Sequence, residues 1–152
     1  MLLHKAGLKP ALSWFKPNAL VVQAGADAHF SDPLADTLLT THDYEKIFRE
    51  IITLADKNCD GKILFTLGGG YSTTATPRIW ALLYLIINNY DIPEYLPEIW
   101  RNRWQQILQT SIPKTLHDIL PPYEPVIRHD EILKINKDVM RRLMDSVSQY
   151  WI

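Results

Sequence analysis

Two patterns of hydrophobic and polar positions alternate in the first 90 residues of the chain. Short apolar runs, Leu20–Val22 and Lys62–Leu67 ("KILFTL"), are bounded by turn residues, and each predicts a strand buried on both faces. Between them, apolar side chains recur every three or four residues from Tyr44 to Ala55. This spacing predicts an amphipathic helix, with Thr40 or Thr41 as its cap and its end within "NCDG", residues 58–61.

A third pattern begins at Thr76-Pro77, where a continuous apolar run occupies residues 79–87. It predicts a helix that is buried on most sides, with Thr76 as its cap and Pro77 at its first position. The run is about half as long as a membrane span requires. The order strand, helix, strand, helix predicts an α/β fold with a parallel sheet and right-handed crossovers.

The composition of the sequence changes after Asn88, where proline and aromatic residues become frequent. Helices are predicted at Glu98–Leu108 and Glu131–Val147, with extended proline-containing loops between them. We therefore interpret residues 1–152 as a single domain. Its core strands and helices lie in residues 1–90, and a proline-rich, helical tail follows in residues 91–152.

Composition narrows the class of protein. Apolar residues make up 47% of the chain and charged residues 22%, as in ordinary globular proteins. The formal net charge of -1 gives no basic field, so no nucleic-acid partner is predicted. A single cysteine, Cys59, excludes a disulfide within the chain and favours a cytoplasmic protein. The N-terminal residues, interrupted by lysines, lack the apolar core of a signal peptide, and no membrane association is predicted.

The loops that follow the two predicted strands carry the candidate chemistry. In open α/β sheets, ligands bind beyond the carboxyl ends of the strands. Asp27 follows the first strand, and Gly68–Gly70 with Tyr71 follow the second. If the strands are neighbours, a carboxylate suited to a metal ion and a hydroxyl suited to a developing oxyanion open onto the same crevice.

Each of these residues also has a simpler interpretation. An aspartate after a strand often caps a turn, and His29 is either a second metal ligand or an ordinary loop histidine. A glycine-rich loop can cradle phosphate, but "GGGYSTTATP" fits neither a Walker motif nor G-x-G-x-x-G. His42 and His117 have no partner at metal-ligand or catalytic spacing in the sequence.

The segments "FKPNALVVQAGADAHFSDPLADTLLTTHDYEKIFREI" and "LGGGYS" together resemble the C-terminal part of the histone-deacetylase family. The resemblance covers about residues 10 to 90 and is greatest to the acetoin-utilisation deacetylases. It implies a parallel-sheet α/β fold similar to arginase, of which this chain holds only the C-terminal portion. It also implies a zinc-dependent hydrolase that removes N-acetyl groups from acetylated lysine or a small acetylated amine.

The same resemblance assigns roles to individual residues. Asp27 matches a zinc ligand, and Tyr71 matches the tyrosine that donates to the substrate carbonyl and the oxyanion. Gly69 and Gly70 match glycines that line the acyl channel, and Leu34 matches a position at the pocket wall. Asp32 matches a structural loop position. The family usually has four glycines before the tyrosine, whereas this chain has three after Leu67, which either replaces the first glycine or marks a deletion.

Other family motifs are absent from this sequence. The family's remaining two zinc ligands lie in an earlier Asp-x-His motif, and a His-His pair supplies its general base. This chain has no His-His, and its only Asp-x-His is Asp27-Ala28-His29. We therefore expect an incomplete domain, inactive alone, that acts when an N-terminal half completes it and that associates with that half or with itself. The alternative is a truncated, non-catalytic binding or scaffold remnant of the same fold.

Overall fold

The computed structural model describes residues 7–120, 122, 124 and 126–150. The helices and strands, in chain order, are α1 (Lys9–Phe15), β1 (Leu20–Gln23), α2 (Thr41–Cys59), β2 (Ile63–Thr66), α3 (Thr76–Ile87), α4 (Glu98–Leu108) and α5 (His129–Val147), followed by a 3-10 turn at Ser148–Tyr150. The predicted strands, α2 and both later helices are confirmed to within two residues, whereas α1 was not predicted.

The strands β1 and β2 pair directly. The Leu20 N–H donates to the Lys62 carbonyl and the Ala24 N–H to the Thr66 carbonyl, each over 2.9 Å. Both ends of this ladder advance in the same direction along the chain, so the pair is parallel, as predicted. The helix α2 makes the crossover that a parallel connection requires.

Burial of both strands on both faces is wrong for the part of the chain that the structure describes. Partly buried and exposed residues alternate along each strand. Phe65 packs against the core from one face, whereas Val21 and Leu64 on the other face are 71% and 59% exposed. The sheet is therefore covered on one side only, and the side that carries these two residues is open.

The start of α2 follows the prediction. The Thr40 hydroxyl oxygen lies 3.2 Å from the Asp43 N–H that donates to it, and the Asp43 carboxylate accepts from the Thr40 N–H at 3.0 Å. Such reciprocal capping satisfies two backbone donors that the first helical turn leaves free and contributes about 1 kcal/mol. The helix ends at Cys59, after which Asp60 and Gly61 adopt positive φ angles of 52° and 72°.

The start of α3 differs from the prediction. Thr76 is already helical, Ala75 stands at the cap position, and Pro77 is at the second helical position. The Ser72 hydroxyl oxygen accepts from the Ala75 N–H at 3.2 Å and so serves the first turn from outside the helix. Burial on most sides is confirmed, because only Ala81, Tyr84 and Ile87 are exposed, and they form one stripe along the helix.

The described residues group into two compact units. One comprises Val21–Ile52 and Leu64–Pro122, and the other comprises the described residues up to Leu20, Thr53–Ile63 and the described residues beyond 123. The core of the first unit consists of Ala24, Ala26, Tyr44, Phe48, Ala75, Ile79, Leu82, Leu83, Ile86 and Leu116. In the second unit, Leu12, Leu54, Ala55, Cys59 and Met140 are buried. No helix among the described residues is long and apolar enough to cross a membrane.

The open sheet face generates a prediction. Exposed contiguous apolar surface binds hydrophobic dyes and promotes association. We expect Val21→Thr combined with Leu64→Thr to reduce dye binding and self-association of the chain, measured by fluorescence and analytical ultracentrifugation. Threonine is favoured in strands at both positions, so the strands should persist.

The matched control replaces two exposed isoleucines outside the sheet, Ile99→Thr with Ile119→Thr. An equal loss of dye binding in the control would show that the sheet face is not the adhesive surface.

Candidate metal and oxyanion site

The loops that follow β1 and β2 lie side by side at the carboxyl edge of the sheet. The Ala26 N–H donates to the Gly69 carbonyl at 2.9 Å, and the Gln23 side-chain amide donates to the Gly68 carbonyl at 2.6 Å. The structure thus brings together the two loops that the sequence singled out.

The Asp27 carboxylate occupies space that glycines leave free on two sides. A Cβ atom on Gly25 would lie 2.8 Å from Asp27 Oδ1, and one on Gly69 would lie 2.8 Å from Oδ2. Gly69 also has a φ of +79°, which disfavours other residues. Within the described part of the chain, no donor or cation pairs with this partly buried carboxylate, so it is not acting as a turn cap there. A carboxylate in this state fits a metal ligand, because its charge is otherwise uncompensated.

Asp32 fastens the two loops to each other. Its Oδ1 accepts from the N–H groups of Leu34 at 2.9 Å and Ala35 at 3.2 Å, and its Oδ2 accepts from the Tyr71 N–H at 2.8 Å. Burial acts to raise the pKa of Asp32, but these backbone donors outweigh it, and the net pKa is lowered. The role of Asp32 as a structural loop residue is confirmed.

The Tyr71 backbone is held by Asp32, whereas its side chain is 54% exposed. Tyr71 and Gly70 line an apolar groove of about 430 Å³ together with Trp100 and Trp104. The phenol is therefore accessible from this groove.

The remaining predicted site residues flank this edge. Gly70, at φ +119°, faces Ala26 and Thr76, and a Cβ on it would come within 2.8 Å of atoms of both. Leu34 is 72% exposed in the loop that Asp32 organises. Their roles as the channel lining and the pocket wall stay predictions.

A buried phenol lies beneath the same edge. Burial raises the pKa of Tyr44 to about 12, with a contribution from the negative charges of Asp27 and Asp32 that the Ala28 N–H partly offsets. Tyr44 is therefore neutral at physiological pH and adds no charge beside Asp27.

His29 is a structural loop histidine, not a second metal ligand. It is fully buried. Its Nδ1 accepts from the Ser31 N–H at 3.1 Å, which places the ring proton on Nε2, and Nε2 donates to Asp118 Oδ2 over 3.0 Å. Both ring nitrogens are engaged within the protein.

Asp118 is the centre of a buried polar network that the sequence did not reveal. Besides His29, its Oδ2 accepts from the Thr41 N–H at 2.8 Å and the Thr41 hydroxyl at 2.9 Å, and its Oδ1 lies 3.0 Å from an Arg78 guanidinium nitrogen. Arg78 also donates to the carbonyls of Thr74 and Leu116. Burial acts to raise the pKa of Asp118, but the bonds from His29 and Thr41 and the charge of Arg78 hold it far below its usual range.

A second cluster joins two histidines that are far apart in sequence. The His42 and His117 rings stack with centroids 4.3 Å apart, and His117 Nε2 lies 3.2 Å from Glu45 Oε2. Burial and the neighbouring His42 lower the pKa of His117, against the opposing charges of Glu45 and Asp118. Sequence spacing gave neither histidine a partner, and their proximity arises from folding alone.

The Asp118 network generates a stability prediction. Asp118→Asn keeps the shape of the side chain but leaves the Arg78 charge buried without its counterion. Breaking a buried ion pair in this way costs about 3–5 kcal/mol. Urea denaturation should show this loss, whereas Asp91→Asn, at an exposed position, should change the free energy of unfolding little. A loss for Asp118→Asn no larger than that of Asp91→Asn would contradict the prediction.

The lowered pKa of Asp118 also predicts acid sensitivity. A carboxyl whose folded pKa is depressed contributes stability above its unfolded pKa, about 3.9, and this contribution is lost as the pH falls towards the folded pKa. The free energy of unfolding should therefore fall more steeply below about pH 4 in the natural chain than in Asp118→Asn. Parallel pH profiles of the two chains would show that Asp118 does not contribute.

Comparison with known proteins agrees with this architecture. A model of the histone deacetylase domain matches residues 1–87. The acetoin utilization protein AcuC of Bacillus subtilis is 30% identical over 145 residues, which are 95% of this chain and 38% of that protein. AcuC of Staphylococcus aureus strain Mu50 is 33% identical over 135 residues, 88% of this chain and 35% of that protein.

Two solved structures share the fold. A histone-deacetylase homologue from Aquifex aeolicus superposes with a TM-score of 0.57 at 22% identity, over 84% of this chain and 36% of that one. The HDA15 HD domain does so with a TM-score of 0.52 at 25% identity, over 59% of this chain and 24% of that one. The chain thus spans less than two fifths of the length of these relatives. With its parallel sheet and the Asp27 and Tyr71 loops at one edge, it belongs to the histone deacetylase family, in the AcuC branch.

Proposed function

We propose that this chain supplies the C-terminal wall of the active site of a zinc-dependent deacetylase. Asp27 would be a zinc ligand, Tyr71 the oxyanion donor, and the substrate an N-acetyl group on lysine or on a small amine. The observation that carries the proposal is the unpaired Asp27 carboxylate, held between Gly25 and Gly69 beside the Tyr71 loop. An aspartate whose carboxylate is accommodated only because its neighbours are glycines, and which has no protein partner among the described residues, has the properties of a metal ligand.

The proposed role of Tyr71 rests on how its loop is held. The Asp32 carboxylate joins the Tyr71 N–H to the backbone of the loop that carries Asp27. Asp32 is in this proposal a positioning residue, since it acts on the reaction only through Tyr71. The exposed phenol is then free to donate a hydrogen bond to the acetyl oxygen as negative charge develops on it.

The zinc ion would supply polarisation of the acetyl carbonyl and activation of a water molecule. A catalytic zinc takes three protein ligands and leaves one position open. At this edge the described residues offer Asp27 alone, because the His29 ring is engaged with Ser31 and Asp118. The proposal therefore requires two further ligands and a general base that the described residues do not supply at this edge, in keeping with the expected N-terminal half.

The test uses a chimera in which this chain replaces the matching segment of B. subtilis AcuC. Turnover of an acetyl-lysine peptide is measured with and without added zinc. We expect Tyr71→Phe to lower kcat roughly 10²–10³-fold with little change in KM, because the hydroxyl acts mainly in the transition state. Asp27→Asn should be at least as harmful, through weaker zinc binding, and should be partly restored by high zinc.

The matched controls are Tyr84→Phe and Asp36→Asn, which alter an exposed tyrosine and an exposed aspartate elsewhere. Near-normal kcat in Tyr71→Phe together with an inactive Asp27→Asn would make Tyr71 a packing residue. A folded but inactive chimera would favour the non-catalytic alternative.

A further inference from the structure

We propose that His42, Glu45 and His117 form a binding site for a divalent transition-metal ion, separate from the carboxyl edge that holds Asp27. Each of the three side chains offers one ligand atom, and these atoms lie within 4.8 Å of one another. His42 and Glu45 are three residues apart on α2 and so share one face of the helix. His117 comes from the loop after α4.

The donor set determines the class of ion. Two imidazoles and one carboxylate form a ligand set that binds zinc in catalytic sites and leaves a fourth position open. Imidazole suits zinc, copper and nickel, whereas magnesium and calcium prefer oxygen ligands. The site therefore favours a zinc-like ion over the abundant hard cations.

Two of the three ligands are already oriented by neighbours. Glu45 accepts from Arg49 Nε at 2.8 Å through Oε1, which leaves Oε2 directed towards His117. His42 Nε2 lies 3.1 Å from the Asp118 carbonyl oxygen. A carbonyl can only accept, so Nε2 carries the proton and the lone pair is on Nδ1. This bond from a ring nitrogen to a backbone carbonyl is the support that metal-binding histidines usually have.

His117 has an unused ring nitrogen. Its Nδ1 is buried and has no hydrogen-bond partner among the described residues. Buried polar atoms are normally paired, so an unpaired one indicates a group that the protein alone does not satisfy. Because Nε2 is the nitrogen that faces Glu45, an ion bound there would leave the ring proton on this unpaired Nδ1.

The cluster is open to ions from solvent. Glu45 and His117 line a polar groove of about 550 Å³, to which Asp91 and Glu94 also contribute. These carboxylates favour the approach of a cation.

The present arrangement must tighten when an ion binds. In a tetrahedral zinc site, ligand atoms are about 3.4 Å apart, a spacing that Glu45 and His117 already satisfy. The planes of the two histidine rings differ by only 10°, however, and the in-plane lone pairs of stacked rings cannot converge on one ion. Metal binding should therefore turn one ring and break the stack, which is an observable change.

The test titrates zinc chloride into the 152-residue chain and follows the histidine ring nitrogens by ¹H–¹⁵N NMR, with calorimetry for the stoichiometry. We expect one ion per chain at this site, with shifts of the His42 and His117 ring nitrogens and none at exposed His129. His42→Gln, Glu45→Gln and His117→Gln should each weaken zinc binding by about 10-fold or more. The matched controls His129→Gln and Glu98→Gln should leave it unchanged.

Asp27→Asn separates this site from the proposed catalytic edge, because it should leave the shifts of both rings intact. Zinc that shifts neither ring in the natural chain would overturn the proposal, whether or not the variants fold. Binding that persists at full strength in all three folded variants would overturn it as well, and would assign the trio to an ion pair and a ring stack alone.

Discussion

The Asp118 carboxylate is the interaction on which the arrangement of this chain most depends. It sits in a buried environment, where an uncompensated charge is very costly, and it is compensated from three separate stretches of sequence: His29 after β1, Thr41 at the start of α2, and Arg78 in α3. Because these partners flank the elements that deliver Asp27 and Tyr71, the ion pair holds the scaffold on which both loops stand. Hydrophobic packing supplies the bulk of the stabilisation, but it is not directional. The polar network adds a specific arrangement of segments.

Around this centre, the carboxyl edge is built by close backbone approach. The loop carbonyls of Gly68 and Gly69 accept hydrogen bonds from the β1 side, and Asp32 closes the connection from the β1 loop to Tyr71. The unpaired carboxylate at this edge and the pair formed by His42 of α2 and His117 of a later loop are therefore distinct features with distinct surroundings. The Asp27 carboxylate lies against Gly25 and Gly69. The two histidines lie on the face of α2 and in the loop after α4.

Local patterns in the sequence were sufficient for the strands, for α4 and for the Thr40 cap of α2, because each depends on residues only a few positions apart. The Asp27 and Tyr71 loops followed from the general rule for parallel sheets. By contrast, His29 meets Asp118 across 89 positions and Thr41 meets it across 77. No spacing rule reaches so far, so the network and the His42–His117 pair could not be found. The burial of the strands was overestimated because apolar composition cannot reveal whether a covering layer is present within the same chain.

The close approach of Gly70 to Ala26 and Thr76 has a consequence for how this family segment can vary. The missing side chain at position 70 is matched to a methyl group and a threonine on two other elements. A larger residue at any one of the three positions displaces the others, so their substitutions should be thermodynamically coupled and not additive. Because Gly70 also has a φ of +119°, position 70 should remain glycine across related sequences, and positions 26 and 76 should remain small with it.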